Sequence, residues 1–94
     1  MPEPLEIVSA GIAHHECPPQ TIAEYSLAGA DLSLARQTAL ADSDVEEAFA
    51  LSTCNRVEIF AVAKRGAAKR ACLNALLLGG RRSSENLLKS VKIR

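Results

Sequence analysis

Apolar and polar residues alternate along some stretches of this chain and recur at helical spacing along others. Leu5 to Ile12 alternates loosely and carries β-branched residues, which predicts a first strand ending near Gly11. A polar, turn-rich stretch follows, His14-His15-Glu16-Cys17-Pro18-Pro19. Pro18 holds its predecessor out of the helical region, and Pro19 opens a short helix through Tyr25. Gly29 breaks that pattern, and Asp31 or Ser33 is placed to cap a second helix to about Ala41, with Leu34, Thr38 and Ala41 on one face. Asp42-Ser43-Asp44 reads as a turn. Residues 45–52 form a second strand with Val45, Glu47, Phe49 and Leu51 on one face and Glu46, Ala48, Ala50 and Ser52 on the other. The small residues of the second set predict close packing there. Residues 56–63 have strong β propensity and form a third strand.

Residues 65–79 carry Ala68, Cys72, Ala75 and Leu76 at helical spacing, and Gly79-Gly80 stops that helix. Arg81 to Asn86 reads as a loop, and Leu88 to Ile93 has the composition of a last strand. The order β-α-β-β-α-β is that of an α+β, ferredoxin-like fold, an antiparallel sheet with helices on one face. There are no internal repeats and no low-complexity tract.

At 94 residues the chain is one small domain with a modest core. Tyr25, Phe49 and Phe60 are its aromatic residues, so Ala, Leu, Val and Ile must build that core. Three cysteines, Cys17, Cys54 and Cys72, without a C-x-x-C pair suggest neither a disulfide framework nor a structural zinc site. The acidic, polar start Met-Pro-Glu-Pro is unlike a signal peptide, and apolar runs such as Ala75 to Leu78 are far too short to span a membrane. Free thiols and no membrane segment together predict a reducing, cytoplasmic setting.

The net charge of zero conceals a split. Arg36 and Arg56 are the bases of residues 1–60, which hold ten of the eleven acids; Glu85 is the acid of residues 61–94, which hold nine of the eleven bases. Such asymmetry fits either an anionic partner for the C-terminal third or a solvated helix face with a polar loop. The lack of interleaved aromatic residues to stack on bases argues for the second.

Leu51-Ser52-Thr53-Cys54-Asn55-Arg56 carries the clearest chemistry. Cys54 falls on a tight link between two strands. A thiolate attacks acyl carbon well, and covalent capture divides a hard acyl transfer into two easier steps. Burial as a small hydrophobe is the competing role for a free cysteine. Arg56 either grips a substrate carboxylate through two charge-assisted hydrogen bonds or pairs with Glu58 or Glu47 at the surface. Thr53 and Asn55 either orient a substrate or close the turn, Asn tolerating left-handed conformations. His14 and His15 offer a proton donor or plain turn residues. Adjacent histidines on an extended chain point apart, so no metal site is predicted. Neither G-x-G-x-x-G nor a Walker sequence is present, so no nucleotide site is predicted.

The run Leu51-Ser52-Thr53-Cys54-Asn55-Arg56-Val57-Glu58-Ile59-Phe60 resembles the signature of the glutamyl-tRNA reductases. Gly11-Ile12-Ala13-His14 followed by Pro18 resembles that family's first-strand motif, at the right separation. The resemblance implies an N-terminal catalytic domain over residues 1–94, excised from an enzyme whose NADPH-binding and helical dimerisation domains lie elsewhere. It implies reduction of the glutamate carried on transfer RNA to glutamate-1-semialdehyde, for tetrapyrrole biosynthesis, by a homodimer using NADPH. Cys54 would be the nucleophile that holds glutamate as a thioester, with Thr53, Asn55, Arg56 and His14 around the glutamate. The chain departs from the family at His15-Glu16-Cys17, where a basic residue, threonine and alanine are usual. The alternatives are a non-catalytic RNA- or protein-binding ferredoxin-like module, motivated by the charge split, and a degenerate paralogue, motivated by Glu16.

Overall fold

The computed structural model describes residues 4–94. The polar start Met1-Pro2-Glu3, read above as unlike a signal peptide, lies outside them. The elements are β1 (Leu5–Ala13), α1 (Pro19–Tyr25), α2 (Ala30–Leu40), β2 (Val45–Ser52), β3 (Arg56–Lys64), α3 (Ala67–Leu76), α4 (Glu85–Ser90) and β4 (Lys92–Ile93). The sheet runs β2-β3-β1-β4, each neighbour antiparallel. This is the expected α+β architecture with the ferredoxin-like strand order. Among the described residues no helix is long and apolar enough to cross a membrane.

Alternation on the strands sorts the two faces of the sheet. Ala10, Ile12, Ala48, Ala50, Val57, Ile59, Ala61 and Ala63 are buried in one core with Ala35 and Ala39 of α2 and Ala68, Cys72, Ala75 and Leu76 of α3. The small residues predicted on β2 therefore do receive a closely packed helix. Alanine on both sides of that contact lets α2 and α3 approach the sheet, and the larger Leu76, fully buried, contributes about 1.5–3 kcal/mol by leaving water. The opposite face is open, with Ile7 and Phe49 exposed there.

Five expectations need correction. The second helix begins at Ala30 with Gly29 at its cap position and no side-chain cap, because Gly29 takes φ +56° and Asp31 pairs with Arg82 instead. Its buried face is Ala35 and Ala39, while Ala41 is exposed. Val45 does not share a face with Glu47: the register shifts between them, so the extra residue Glu46 turns Val45 towards the core. The last strand shrinks to Lys92–Ile93, because Glu85–Ser90 is helical. Buried Tyr25 explains that change. Its hydroxyl donates to the Ser83 carbonyl (2.5 Å) and accepts from the Leu87 N–H (3.0 Å), drawing Leu87 into the core and leaving Leu88 outside. The third helix is also shorter than expected, starting after Gly66 at φ +88°.

Candidate functional site

The link between β2 and β3 is short and internally bonded. The Thr53 hydroxyl accepts from the backbone N–H groups of Asn55 (3.1 Å) and Arg56 (3.2 Å), and the Thr53 N–H donates to the Arg56 carbonyl (2.8 Å). Threonine thus closes the turn, one of the two roles open to it from sequence. Asn55 needs no left-handed backbone; among the described non-glycine residues only Leu78 has positive φ. Cys54 rides on this turn with an exposed side chain.

The other two thiols differ. Cys72 is fully buried in α3, and burial pushes its pKa up to about 11. Cys17 is half-buried and donates to the Ala13 carbonyl (3.4 Å); burial first, and then the nearby Glu16 charge, raise its pKa. Of the three, Cys54 is the accessible nucleophile.

Beside the turn lies a cleft of about 460 Å³ on the open face of the sheet. Asn55 and Arg56 line it from β3 and the residues just before it, and His14 and Glu16 line it from the turn after β1. The His14 N–H donates to the Asn55 carbonyl (2.8 Å), tying the two sides together. The rings of His14 and His15 meet edge to face, 5.3 Å between centroids. Thr53 and Cys54 do not line the cleft; they precede the wall that Asn55 and Arg56 form. The five sequence-predicted site residues are therefore gathered at one end of the sheet, three inside the cleft and two on the link leading into it.

Glu58 is the residue whose place the sequence understated. It lines the cleft two residues after Arg56, on the same face of β3, and is only 7 % exposed. Arg56 Nη2 donates to both of its carboxylate oxygens, at 2.5 and 2.9 Å. A carboxylate this enclosed needs such a partner. Gly11 makes the burial geometrically feasible: it faces Glu58 across the β1–β3 ladder, and a Cβ built on it would lie 2.9 Å from Glu58 Cγ and 2.6 Å from the Val57 carbonyl oxygen. A glycine on β1 paired with a glutamate two positions beyond an arginine was the available signal.

The far side of the cleft comes from the chain's last residues. Arg94 N–H donates to the Ser9 carbonyl (2.7 Å), placing the Arg94 guanidinium by the cleft, 3.7 Å from Glu16. Two guanidinium–carboxylate pairs, Arg56 with Glu58 and Arg94 with Glu16, therefore stand in one small space.

Comparison with known proteins agrees with the local sequence run. The model of the family described as "Glutamyl-tRNAGlu reductase, N-terminal domain" matches residues 10–93. A curated relative, the glutamyl-tRNA reductase of Prochlorococcus marinus subsp. pastoris (strain CCMP1986 / NIES-2087 / MED4), is 35% identical over 60 residues, which is 64% of this chain and 14% of the relative. The aligned part is thus a small fraction of that protein's length. The matched range holds the β2–β3 turn, all of β3 and every lining residue of the cleft except Ser9 and Arg94, and the chain belongs to the glutamyl-tRNA reductase N-terminal domain family.

Proposed function

We propose that this chain is the catalytic domain of a glutamyl-tRNA reductase and that Cys54 captures the glutamyl group. In this reading Cys54 Sγ attacks the carbonyl carbon of the ester that joins glutamate to the terminal ribose of its transfer RNA. The C–S bond forms, the ester C–O bond breaks, and the thiol proton goes to the departing ribose oxygen, leaving glutamate as a thioester and the RNA free. Asn55 and His14 border the bound glutamate, while the Thr53 hydroxyl holds the turn that carries the thiol. Glu58 occupies one terminal nitrogen of Arg56, so the other N–H groups of that guanidinium are left for the substrate's side-chain carboxylate. The single observation that carries the reading is the exposed Cys54 on a hydroxyl-closed turn, next to a cleft lined by an arginine.

NADPH does not fit the residues present. The cleft carries two carboxylates, Glu16 and Glu58, that oppose a polyphosphate, and no glycine-rich phosphate loop occurs in the sequence. Reduction of the thioester is therefore not a step that these residues account for. In our reading cofactor binding and homodimerisation fall to other parts of a longer cytoplasmic protein, whose tetrapyrrole-forming activity begins here with acyl capture.

The experiment is acyl trapping. The chain is mixed with glutamyl-tRNA, quenched in acid, digested and analysed by mass spectrometry. A glutamyl adduct on the peptide carrying Cys54, absent from Cys54→Ser, is expected. An unmodified Cys54 peptide, or an adduct that persists in Cys54→Ser, overturns the assignment.

A further inference from the structure

The cleft contains one carboxylate that the capture step does not use. Glu16 lines it from the turn after β1, with its side chain only 14 % exposed. The turn fixes its backbone: the Glu16 N–H donates to the Ala13 carbonyl (2.9 Å), which also accepts from Cys17 Sγ. Its sole ionic contact among the described residues is Arg94 at 3.7 Å, longer than a hydrogen bond, and its carboxylate oxygens accept none there. Its oxygens are not among the sealed, unpartnered polar atoms, so the carboxylate opens onto the cleft with its acceptor sites free for a cationic donor that enters. Glu58 differs, since Arg56 already satisfies it.

Charge balance indicates what that donor is. Arg56 and Arg94 offset Glu58 and Glu16, so the four side chains sum to zero but are spread around the cleft. A dianion would meet two carboxylates, and a dication two guanidiniums. A ligand with one cationic and one anionic group meets a complementary partner for each. An α-ester of glutamate is such a ligand, with an α-ammonium beside the ester and a carboxylate on its side chain.

We propose that Glu16 is a specificity-determining residue that binds the α-ammonium of the aminoacyl ligand. This rests on the reading of the cleft as the site for the glutamyl group, and it deepens that reading. Glu16 holds the ammonium end while Arg56 takes the side-chain carboxylate. The ester carbon between them is thereby presented from two sides, and acids that lack the amine are discriminated against.

The test is a titration followed by NMR, on the chain carrying Cys54→Ser so that capture cannot mix with binding. Two probes are used: glutamate α-methyl ester and glutaric acid monomethyl ester, which lacks only the amine. A charge-assisted hydrogen bond corresponds to about 10- to 100-fold in affinity, so the aminated ester should bind tighter by about that factor. Glu16→Gln should bring the two probes to within about 2-fold of each other. Arg94→Gln, which removes an exposed competitor for Glu16, should widen the preference and serves if Glu16→Gln fails to fold. Equal affinities in the parent, binding of neither probe, or a preference that survives Glu16→Gln or narrows in Arg94→Gln overturns the proposal. The two readings fail separately. A missing Cys54 adduct with the amine preference intact removes only the thioester. An adduct formed at equal rates from aminated and deaminated esters removes only the role of Glu16.

Discussion

Gly11→Ala probes how the site depends on close approach between strands. Gly11 is buried at the seventh of the nine positions of the β1–β3 ladder, paired with Glu58. An added Cβ would stand 2.6 Å from the Val57 carbonyl oxygen, 2.9 Å from Glu58 Cγ and 3.1 Å from Glu58 Cα. Two of those three atoms are backbone, so rotating one side chain cannot relieve the contact; the strands must separate locally. Overpacking of this kind costs about 1–3 kcal/mol, and the upper part of that range applies where backbone must yield. Alanine also lowers the entropy of the unfolded chain, which offsets about 0.4–1 kcal/mol. The net loss is then about 1–2 kcal/mol. For a domain of this size each kcal/mol shifts Tm by about 4–8 °C, so a fall of about 4–16 °C is expected in thermal unfolding followed by circular dichroism. The urea midpoint should fall with an unchanged slope. Adding Glu58→Ala removes the Cγ contact but leaves the Val57 contact, so the double variant should lose less than the sum of the single losses. A Gly11→Ala chain melting within about 2 °C of its parent would refute the reasoning.

Two further outcomes follow from the thiols and from one acid. A thiol reagent near neutral pH should modify Cys54 first and Cys17 more slowly, and reach Cys72 only on unfolding, as read by peptide mass spectrometry over time; early modification of Cys72 would contradict its burial and raised pKa. Asp42 accepts from the Asp44 N–H (3.0 Å) and from Arg70, which together hold its carboxyl below the usual range. Its folded pKa being the lower one, its stabilisation is present above the unfolded value of about 3.9 and is lost as pH falls through the folded one. Asp42→Asn should therefore flatten the acid limb of stability against pH, and an unchanged limb would count against the pairing.

The parts of this fold that the sequence discloses are those set by near neighbours. Alternation over Leu5–Ala13, Val45–Ser52 and Arg56–Lys64 is a local property, and all three strands stand close to where it places them. The same holds for the Thr53 turn, where hydroxyl and N–H groups lie within three residues. Glu85–Ser90 escaped because its conformation depends on Tyr25, 62 residues before Leu87 in the chain. Leu87, Leu88 and Val91 suit a strand by composition, but one buried hydroxyl with a carbonyl and an N–H to satisfy favours the helical turn. Glu58 was legible as a partner of Arg56 but not as a buried group, because its burial needs Gly11 on another strand.

The charge split has the same origin. Arg70 meets Asp42, Lys64 meets Asp44, Arg82 meets Asp31 and Arg94 meets Glu16, each a base from the C-terminal third against an acid from the first sixty residues. The most exposed of these pairs are worth little individually, about 0–1 kcal/mol, so they do not hold the fold together. Their effect is on the surface field, since acids that would crowd one end of the molecule are interleaved with bases. The asymmetry thus finds partners inside the chain for Lys64, Arg70, Arg82 and Arg94 without invoking an anionic one. At the cleft the consequence is chemical. β4 lies beside β1, and Arg94, just beyond it, meets Glu16 in a space that Arg56 and Glu58 already share. Neutrality with separated charges suits the zwitterionic glutamyl group of the proposed substrate better than its polyanionic RNA. On the proposed reading, recognition of the RNA rests on other surfaces; bases such as Lys69, Arg81 and Lys89 lie outside this cleft.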